Sequence, residues 1–337
     1  MNRLVLSASV AAMLAAPISA SADANLRFAY WLPPQHAVNT TGFEPWIQSI
    51  NEASGGGITV ESYPAQQLGS AVDHYDMARD GIADITFVNP GYQPGRFPII
   101  ALGEQPFLIA NGTTGSKAFD AWYREYAETE MADVHVCMSF LQDPGTFHSV
   151  AAVQVPADVD GMNVRPAHAT MGRFVNLLGG ASVQVPAPEA REVIARGAAD
   201  AITFPWDSIF LFGIDAETKH HIDMALYSTT FVMAFNKATY DGLSADDRAV
   251  IDAHCTGDWA EKVATGWAEI EAAGKQKAID AGHTIYQPTA QDMQAWREAA
   301  APLMTEWEAG VTAAGADPEA VRAGLVEQLK GAGALAE

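Results

Sequence analysis

Residues 78–87 of this 337-residue chain read ARDGIADITF, and residues 195–204 read ARGAADAITF. In both segments a helical pattern ends in Ala-Arg, and Gly-x-x-Asp then leads into a strand pattern that contains Ile-Thr-Phe. Glycine suits the end of a helix because it adopts the left-handed conformation without a steric penalty. The two segments therefore predict two lobes that share one α/β topology. The alternative is a chance similarity within an alanine-rich chain.

The flanking sequence extends both patterns. Phe43, Trp46, Ile47 and Ile50 have the i, i+3, i+4, i+7 spacing of a helix stripe. In the first half, strand patterns at 26–30, 58–63 and 84–88 alternate with helical patterns, which predicts a parallel sheet. A second series has strand patterns at 134–140, 149–153, 162–164, 181–185 and 200–204, with helices over 170–178 and 188–197.

The remainder of the chain is mostly helical in pattern. A strand pattern at 229–236 precedes helix formers that run from 244 to about 281, long enough for a helix that bridges two lobes. Residues 289–335 are rich in Ala and Glu and also predict helix. Six tryptophans lie in helical stripes and are expected in the core: Trp46, Trp122, Trp259, Trp267, Trp296 and Trp307.

The chain is strongly acidic but otherwise has a globular composition. It has 41 Asp and Glu residues against 19 Lys and Arg, a net charge of −22, and 49% apolar residues. The acid excess argues against binding to nucleic acid and to anionic membrane surfaces. The length suits two domains with ample core.

The first 22 residues have the pattern of a secretory signal peptide. Arg3 precedes an apolar stretch at 4–16, and Ala20-Ser21-Ala22 fits a small-residue cleavage site. The alternative is a buried N-terminal helix. Export would place the mature chain in the periplasm, where Cys137 and Cys255 are permitted to form a disulfide or to remain free thiols.

The sequence lacks the motifs of common enzyme and metal sites. It has no G-x-S-x-G, H-E-x-x-H, Walker A or G-x-G-x-x-G signature in the required context. His220-His221 is interpreted as a surface pair, because adjacent helical residues do not share a face. We therefore expect no catalytic residues, no metal and no cofactor.

Ligands of open α/β sheets bind beyond the carboxyl ends of the strands. Arg165 ends a strand pattern, and the following proline favours an extended conformation at that position. Its guanidinium could bind a carboxylate through two parallel hydrogen bonds, or it could pair with one of the many acidic residues. The other candidate ligand-binding residues are Trp31, His36, Asn89, Tyr92, Phe204 and Trp206.

Several segments resemble the solute-binding proteins of tripartite ATP-independent periplasmic (TRAP) transporters. Residues 156–166, PADVDGMNVRP, resemble the family element D-L-x-G-x-K-[IL]-R-V-P. Residues 180–189, GASVQVPAPE, resemble G-A-x-P-V-x-[LM]-P-x-x-E, and GAAD at 197–200 resembles G-x-x-D-G. In the first half, residues 63–70, YPAQQLGS, resemble F-P-x-x-Q-L-G.

This resemblance implies an α/β, periplasmic-binding-protein-like fold with two lobes, a cleft between them and a long helix spanning both. It implies lobe I at 23–142 plus about 231–270, and lobe II at 143–230 plus about 271–337. The family arginine that clamps the ligand carboxylate corresponds to Arg165. Phe204 stands where many members have an asparagine, and residues 145–148 lack the second arginine of sialic-acid-binding members. These departures predict a ligand with an aromatic or apolar body.

We therefore expect a monomeric subunit that captures a small organic acid by lobe closure and delivers it to membrane permease subunits. Three alternatives remain at this point. They are a binding protein of an ATP-driven importer, an exported enzyme on a similar fold, and a sensory partner of a membrane receptor.

Overall fold

The computed structural model describes residues 24–336, so the predicted signal peptide lies outside the described residues. The strands are β1 (Ala24–Ala29), β2 (Ile58–Tyr63), β3 (Ile85–Val88), β4 (Val134–Leu141), β5 (Thr146–Ser149), β6 (Asn163–Arg165), β7 (Ala181–Ser182), β8 (Ala201–Phe204), β9 (His220–Ile222), β10 (Thr230–Asn236) and β11 (Thr284–Tyr286).

The α-helices alternate with the strands in the first two thirds of the chain and dominate the last third. They are α1 (Glu44–Ala53), α2 (His74–Arg79), α3 (Thr113–Glu130), α4 (Ala169–Leu177), α5 (Ala190–Ala195), α6 (Ser208–Leu211), α7 (Lys237–Gly242), α8 (Ala245–His254), α9 (Gly257–Asp280), α10 (Ala290–Ala313) and α11 (Pro318–Gly331). Among these described helices, none combines the length and apolar character needed to cross a membrane.

The strands form two sheets, one in each lobe. Lobe I contains a five-stranded sheet in the order β2-β1-β3-β10-β4, and lobe II a six-stranded sheet in the order β11-β9-β5-β8-β6-β7. Strands β1, β2 and β3 are parallel, as predicted, whereas β10 is antiparallel to both of its neighbours. Along the chain, β10 follows the lobe II strands β5 to β9 and then returns to the first sheet. Local sequence therefore gives no signal for its pairing with β3 and β4.

The two similar segments are structurally equivalent in the two lobes. Gly81 and Gly197 both adopt positive φ, 71° and 67°. The carboxylate of Asp84 accepts a hydrogen bond from a backbone N–H of β1 (2.9 Å), and Asp200 accepts the corresponding bond from β6 (2.8 Å). Each Asp thus joins the entrance of one strand to its parallel neighbour, which supports a shared topology over chance similarity.

Helix α9 is the long bridging helix. Its first part packs on α3, β4 and residues 38–43 of lobe I, and its last part contacts α6 and β11 of lobe II. Helix α10 also reaches both lobes, because Trp296 lies in the core of lobe II and Trp307 in a core of lobe I.

The last helix does not lie where the sequence placed it. Residues 271–337 were expected in lobe II, but α11 packs on α3 of lobe I. The Trp122 indole donates a hydrogen bond to the Val321 carbonyl (3.0 Å), and Leu325 and Leu329 are fully buried there. An amphipathic pattern predicts that one face is buried, but not which lobe buries it. The other predicted lobe boundaries stay a prediction.

Cys137 on β4 and Cys255 after α8 form a disulfide. The bond joins the edge strand of the first sheet to the segment that begins α9.

Candidate ligand-binding cleft

A cleft lies between the two lobes. Its lining residues come from strand ends, from the two connections between the lobes and from α9: Trp31, Leu32, His36, Asn89, Tyr92, Gln142, Arg165, Ala167, Ala187, Phe204, Pro205, Ser208, Phe212, Tyr227, Thr229, Phe231 and Trp267. The carboxyl ends of the paired strands β1 and β3 and of β6 and β8 all meet here, as the parallel topology predicts.

Arg165 is the last residue of β6, and its side chain is fully buried. Its Nε donates a hydrogen bond to the Val185 carbonyl (3.0 Å), which fixes the plane of the guanidinium. The two terminal nitrogens have no hydrogen-bonding partner among the described residues. Because unpaired buried charged donors are costly, these nitrogens are suited to an incoming acceptor. Their fork matches the two oxygens of a carboxylate.

No acidic residue lines the cleft, and Arg165 forms no ion pair within the described chain. The sequence left open that an acidic neighbour neutralises Arg165, and the structure shows no such ion pair among the described residues. His36 adds no positive charge, because burial lowers its pKa to about 3. Arg165 is thus the single full charge among the residues that line this cleft.

Aromatic rings form most of the remaining wall. The Trp31 ring stacks on Phe87 with centroids 5.1 Å apart and an angle of 15°, and its indole N–H donates to the Phe87 carbonyl (3.0 Å). The Phe204 ring lies 5.4 Å from the guanidinium carbon of Arg165. The Trp267 ring contacts His36 edge-on at 5.1 Å. The cleft therefore combines one carboxylate-binding group with a large apolar surface.

Tyr92 and Asn89 lie where the loop after β3 reaches lobe II. The Tyr92 hydroxyl accepts a hydrogen bond from the backbone N–H of Ala187 (3.0 Å), and this bond connects the two lobes beside the cleft. The side-chain Oδ1 of Asn89 accepts a hydrogen bond from the Gly91 N–H (3.0 Å) and holds the turn that presents Tyr92.

Six of the seven predicted site residues line the cleft, and Trp206 does not. The chain turns after Phe204, so the Trp206 indole points away and packs on His148 and His221, with centroids 5.1 and 5.5 Å apart. These histidines extend to His283 through short contacts between ring nitrogens of 2.7 and 2.9 Å. His221 is consequently buried, whereas the sequence suggested a surface pair.

The histidines make hydrogen bonds to one another and to backbone instead of forming a metal site. Across residues 24–336, no group of three or more His, Cys, Asp or Glu side chains is arranged to hold a metal ion. Burial lowers the pKa of His148 to about 4, so its ring is neutral at physiological pH.

Sequence reasoning missed most of the aromatic wall. Trp267 is a core residue, as expected, but it also lines the cleft, because the face of α9 that packs on the lobes passes the gap between them. Phe231 lies on β10, which the sequence could not place beside β3. Phe212 follows α6, and Tyr227 lies in the segment after β9. The sequence around these two residues has no turn or spacing pattern that indicates a ligand site.

Comparison with known proteins gives one family and several solved structures. A family model described as "DctP: Bacterial extracellular solute-binding protein, family 7" matches residues 28–310. A TRAP solute-binding protein from Rhodoferax ferrireducens, crystallised with copurified benzoate, is 29% identical with a TM-score of 0.87. The match covers 92% of this chain and 98% of that one.

Two further relatives match this chain, one in structure and one in sequence. A marine metagenome TRAP solute-binding protein specific for aromatic acid ligands, in complex with 3-hydroxybenzoate, is 28% identical with a TM-score of 0.86. That match covers 92% of this chain and 99% of the other. The 2,3-diketo-L-gulonate-binding periplasmic protein YiaO of Escherichia coli is 21% identical, over 80% of this chain and 82% of the relative.

Proposed function

Since this chain belongs to the DctP family of bacterial extracellular solute-binding proteins, family 7, we propose that it binds a monocarboxylate with an aromatic body and delivers it to a TRAP permease. Members of this family are solute-binding proteins, so the expectation of a binding protein and not an enzyme is confirmed. The expected two-lobed α/β fold is confirmed as well.

The observation that carries the proposal is the pair of unpartnered nitrogens of Arg165, buried in a cleft without an acidic residue. An anion with two oxygens in one plane would satisfy both nitrogens, and exclusion of water would strengthen the interaction. One cation favours one carboxylate, because a second ligand charge would face apolar walls with no partner.

The ring-lined wall supports an aromatic body for this acid. Seven aromatic side chains line the cleft: Trp31, Tyr92, Phe204, Phe212, Tyr227, Phe231 and Trp267. A sugar acid would bury several hydroxyl groups against them, which is costly without hydrogen bonds. The two relatives above that bind benzoate and aromatic acids support the same class of ligand.

Cellular context follows from the family and from the expectation of a signal peptide. We propose a monomer in the periplasm whose lobes close over the ligand, because both walls contact it only in the closed form. The closed form would then be recognised by permease subunits in the membrane.

A thermal-shift comparison of matched ligands tests the proposal. Benzoate and 3-hydroxybenzoate should raise the melting temperature with the logarithm of concentration, because they bind only the folded protein. Benzamide has the same ring without the carboxylate and should cause no shift. Equal shifts from benzamide, or the largest shift from a hexuronate, would show that the assigned ligand class is wrong.

A further inference from the structure

One face of α9 lies against the segment that follows β8. Trp267, Glu271, Gly274 and Lys277 are spaced so that they share this face. A Cβ at Gly274 would lie 2.1 Å from the backbone nitrogen of Asp207, so only glycine permits this close approach. Lys277 adds an ion pair with Asp207.

Glu271 is the centre of this contact, and only 5% of the residue is exposed. Its Oε2 accepts hydrogen bonds from the backbone N–H groups of Asp207 (2.5 Å) and Ser208 (3.1 Å). Its Oε1 accepts from the Ser208 hydroxyl and from the Trp267 indole N–H (3.0 Å). Four donors from two elements therefore converge on one carboxylate.

The side chains that Glu271 holds both line the cleft. Trp267 forms part of the cleft wall beside lobe I, and the centre of its ring lies 5.4 Å from that of the Phe231 ring. Ser208 opens α6 in lobe II, four residues after Phe204. We infer that Glu271 is a positioning residue of the ligand site, which fixes the Trp267 ring and the Ser208 segment at the spacing that the ligand requires. This inference rests on the proposed function, because it concerns the affinity of the same cleft.

The chemistry of the four bonds makes glutamine an informative replacement. A carboxylate accepts at both oxygens, whereas an amide presents an NH₂ donor at one of the two positions. In one orientation the amide donor would face two backbone N–H groups, and in the other it would face the Trp267 N–H. Either way at least one hydrogen bond is lost, with little change in side-chain volume.

Glu130 provides a matched control away from the cleft. It is also a largely buried carboxylate on a helix, and it accepts from the backbone N–H groups of Ile99 (2.5 Å) and Ile100 (3.1 Å) and from the Tyr123 hydroxyl (2.8 Å). Glu130→Gln removes a comparable network, so it reports the general effect of losing such a network on stability.

The test is isothermal titration calorimetry with benzoate as the probe at pH 8, where Glu271 is ionised although burial raises its pKa to about 7. Glu271→Gln should weaken binding by about tenfold, which corresponds to about 1.4 kcal/mol, whereas Glu130→Gln should lower the melting temperature without changing affinity. Trp267→Phe keeps a ring and removes the indole N–H. If Glu271 acts through Trp267, the effect of Glu271→Gln should shrink in the Trp267→Phe background.

The outcomes separate this inference from the proposed function. Benzoate affinity within twofold of the unmodified protein in Glu271→Gln, or an equal loss in Glu130→Gln, overturns the inference and leaves the proposed function intact. If the unmodified protein binds no carboxylate, both fail. Should Glu271→Gln not fold, Ser208→Ala removes one donor and should weaken binding by roughly threefold. Unchanged affinity in Ser208→Ala would overturn the inference.

Discussion

The guanidinium carbon of Arg165 lies 5.4 Å from the centre of the Phe204 ring. The two side chains extend from the ends of the adjacent parallel strands β6 and β8, so the sheet itself sets their spacing. A ring beside a buried guanidinium stabilises the cation and leaves the terminal nitrogens available to a ligand. This pair defines one charged end and one apolar wall within the same site.

Replacement of Arg165 by lysine should weaken carboxylate binding by at least tenfold, about 1.4 kcal/mol. Lysine keeps the charge but loses the planar fork and the Nε hydrogen bond to Val185. Calorimetric titration with benzoate measures the change. Arg173→Lys is the control, because Arg173 pairs with Glu306 on the surface and should leave affinity unchanged. Equal affinity in the two variants would place the carboxylate clamp elsewhere.

Removal of the Tyr92 hydroxyl should favour the open form. Tyr92→Phe keeps the ring but leaves the Ala187 N–H without its acceptor when the lobes close, which should weaken binding by about 2- to 12-fold. Small-angle scattering should show a larger radius of gyration without ligand. Tyr286→Phe removes a hydroxyl that bonds to Asp292 away from the cleft, and it should change neither measurement. An unchanged Tyr92→Phe protein would mean that this contact does not contribute to closure.

Reduction of the Cys137–Cys255 disulfide should lower stability without lowering affinity. The bond closes a loop with a sequence separation of 118 residues, which corresponds to roughly 4–5 kcal/mol in the chain-entropy estimate. Neither cysteine lines the cleft. Thermal unfolding and benzoate titration of a Cys137→Ser/Cys255→Ser variant test both statements. The same melting temperature in the variant would contradict the first, and a large affinity loss the second.

The buried histidines should make the protein less stable as the pH falls from about 6.5 towards 4. His148 has a folded pKa of about 4, lowered by burial, so the unfolded chain binds its proton first. Each such histidine contributes up to about 1.4 kcal/mol per pH unit in this window. Glu104 and Glu271, whose pKa values burial raises to about 7, act with the opposite sign between about 4.5 and 7.

The comparison of His148→Gln with the unmodified protein isolates one histidine from these opposing groups. Denaturant unfolding at several pH values should give a shallower loss of stability in the variant below pH 6.5. Identical pH dependence would mean that the pKa of His148 is not lowered in the folded state. His135 is less buried and lies on β4. His135→Gln is therefore a second variant whose stability at each pH can be compared with that of His148→Gln.

The sequence predicted those parts of the site that depend on local pattern. Arg165 and Phe204 each end a recognisable strand, and parallel strands bring such ends together without any knowledge of the rest of the fold. The departure of Phe204 from the family asparagine also indicated an apolar wall. Trp206 was predicted by the same reasoning but does not line the cleft, because the chain turns after β8 and the indole packs on His148 and His221.

Other features depended on contacts between distant segments. Trp267 has the helical spacing of a core residue, and spacing alone does not distinguish a core from the edge of a cleft. Strand β9, which begins His220-His221, is short and polar, so it carries no strand signal even though its neighbours bury it. Helix α11 has an apolar stripe that predicts one buried face but not the lobe that buries it, and in the structure it packs on α3.

The return of α11 to lobe I has a practical consequence for measuring lobe motion. Strand β1 lies in the first sheet, and the segment after α11 bonds to Leu108 and Ile109, so the first and last described residues both belong to lobe I. Within residues 24–336, lobe II is joined to lobe I only through internal segments. Fluorophores attached at Ala24 and Ala336 would therefore both report on lobe I, and an energy-transfer experiment needs its second dye at an exposed lobe II position such as Val150.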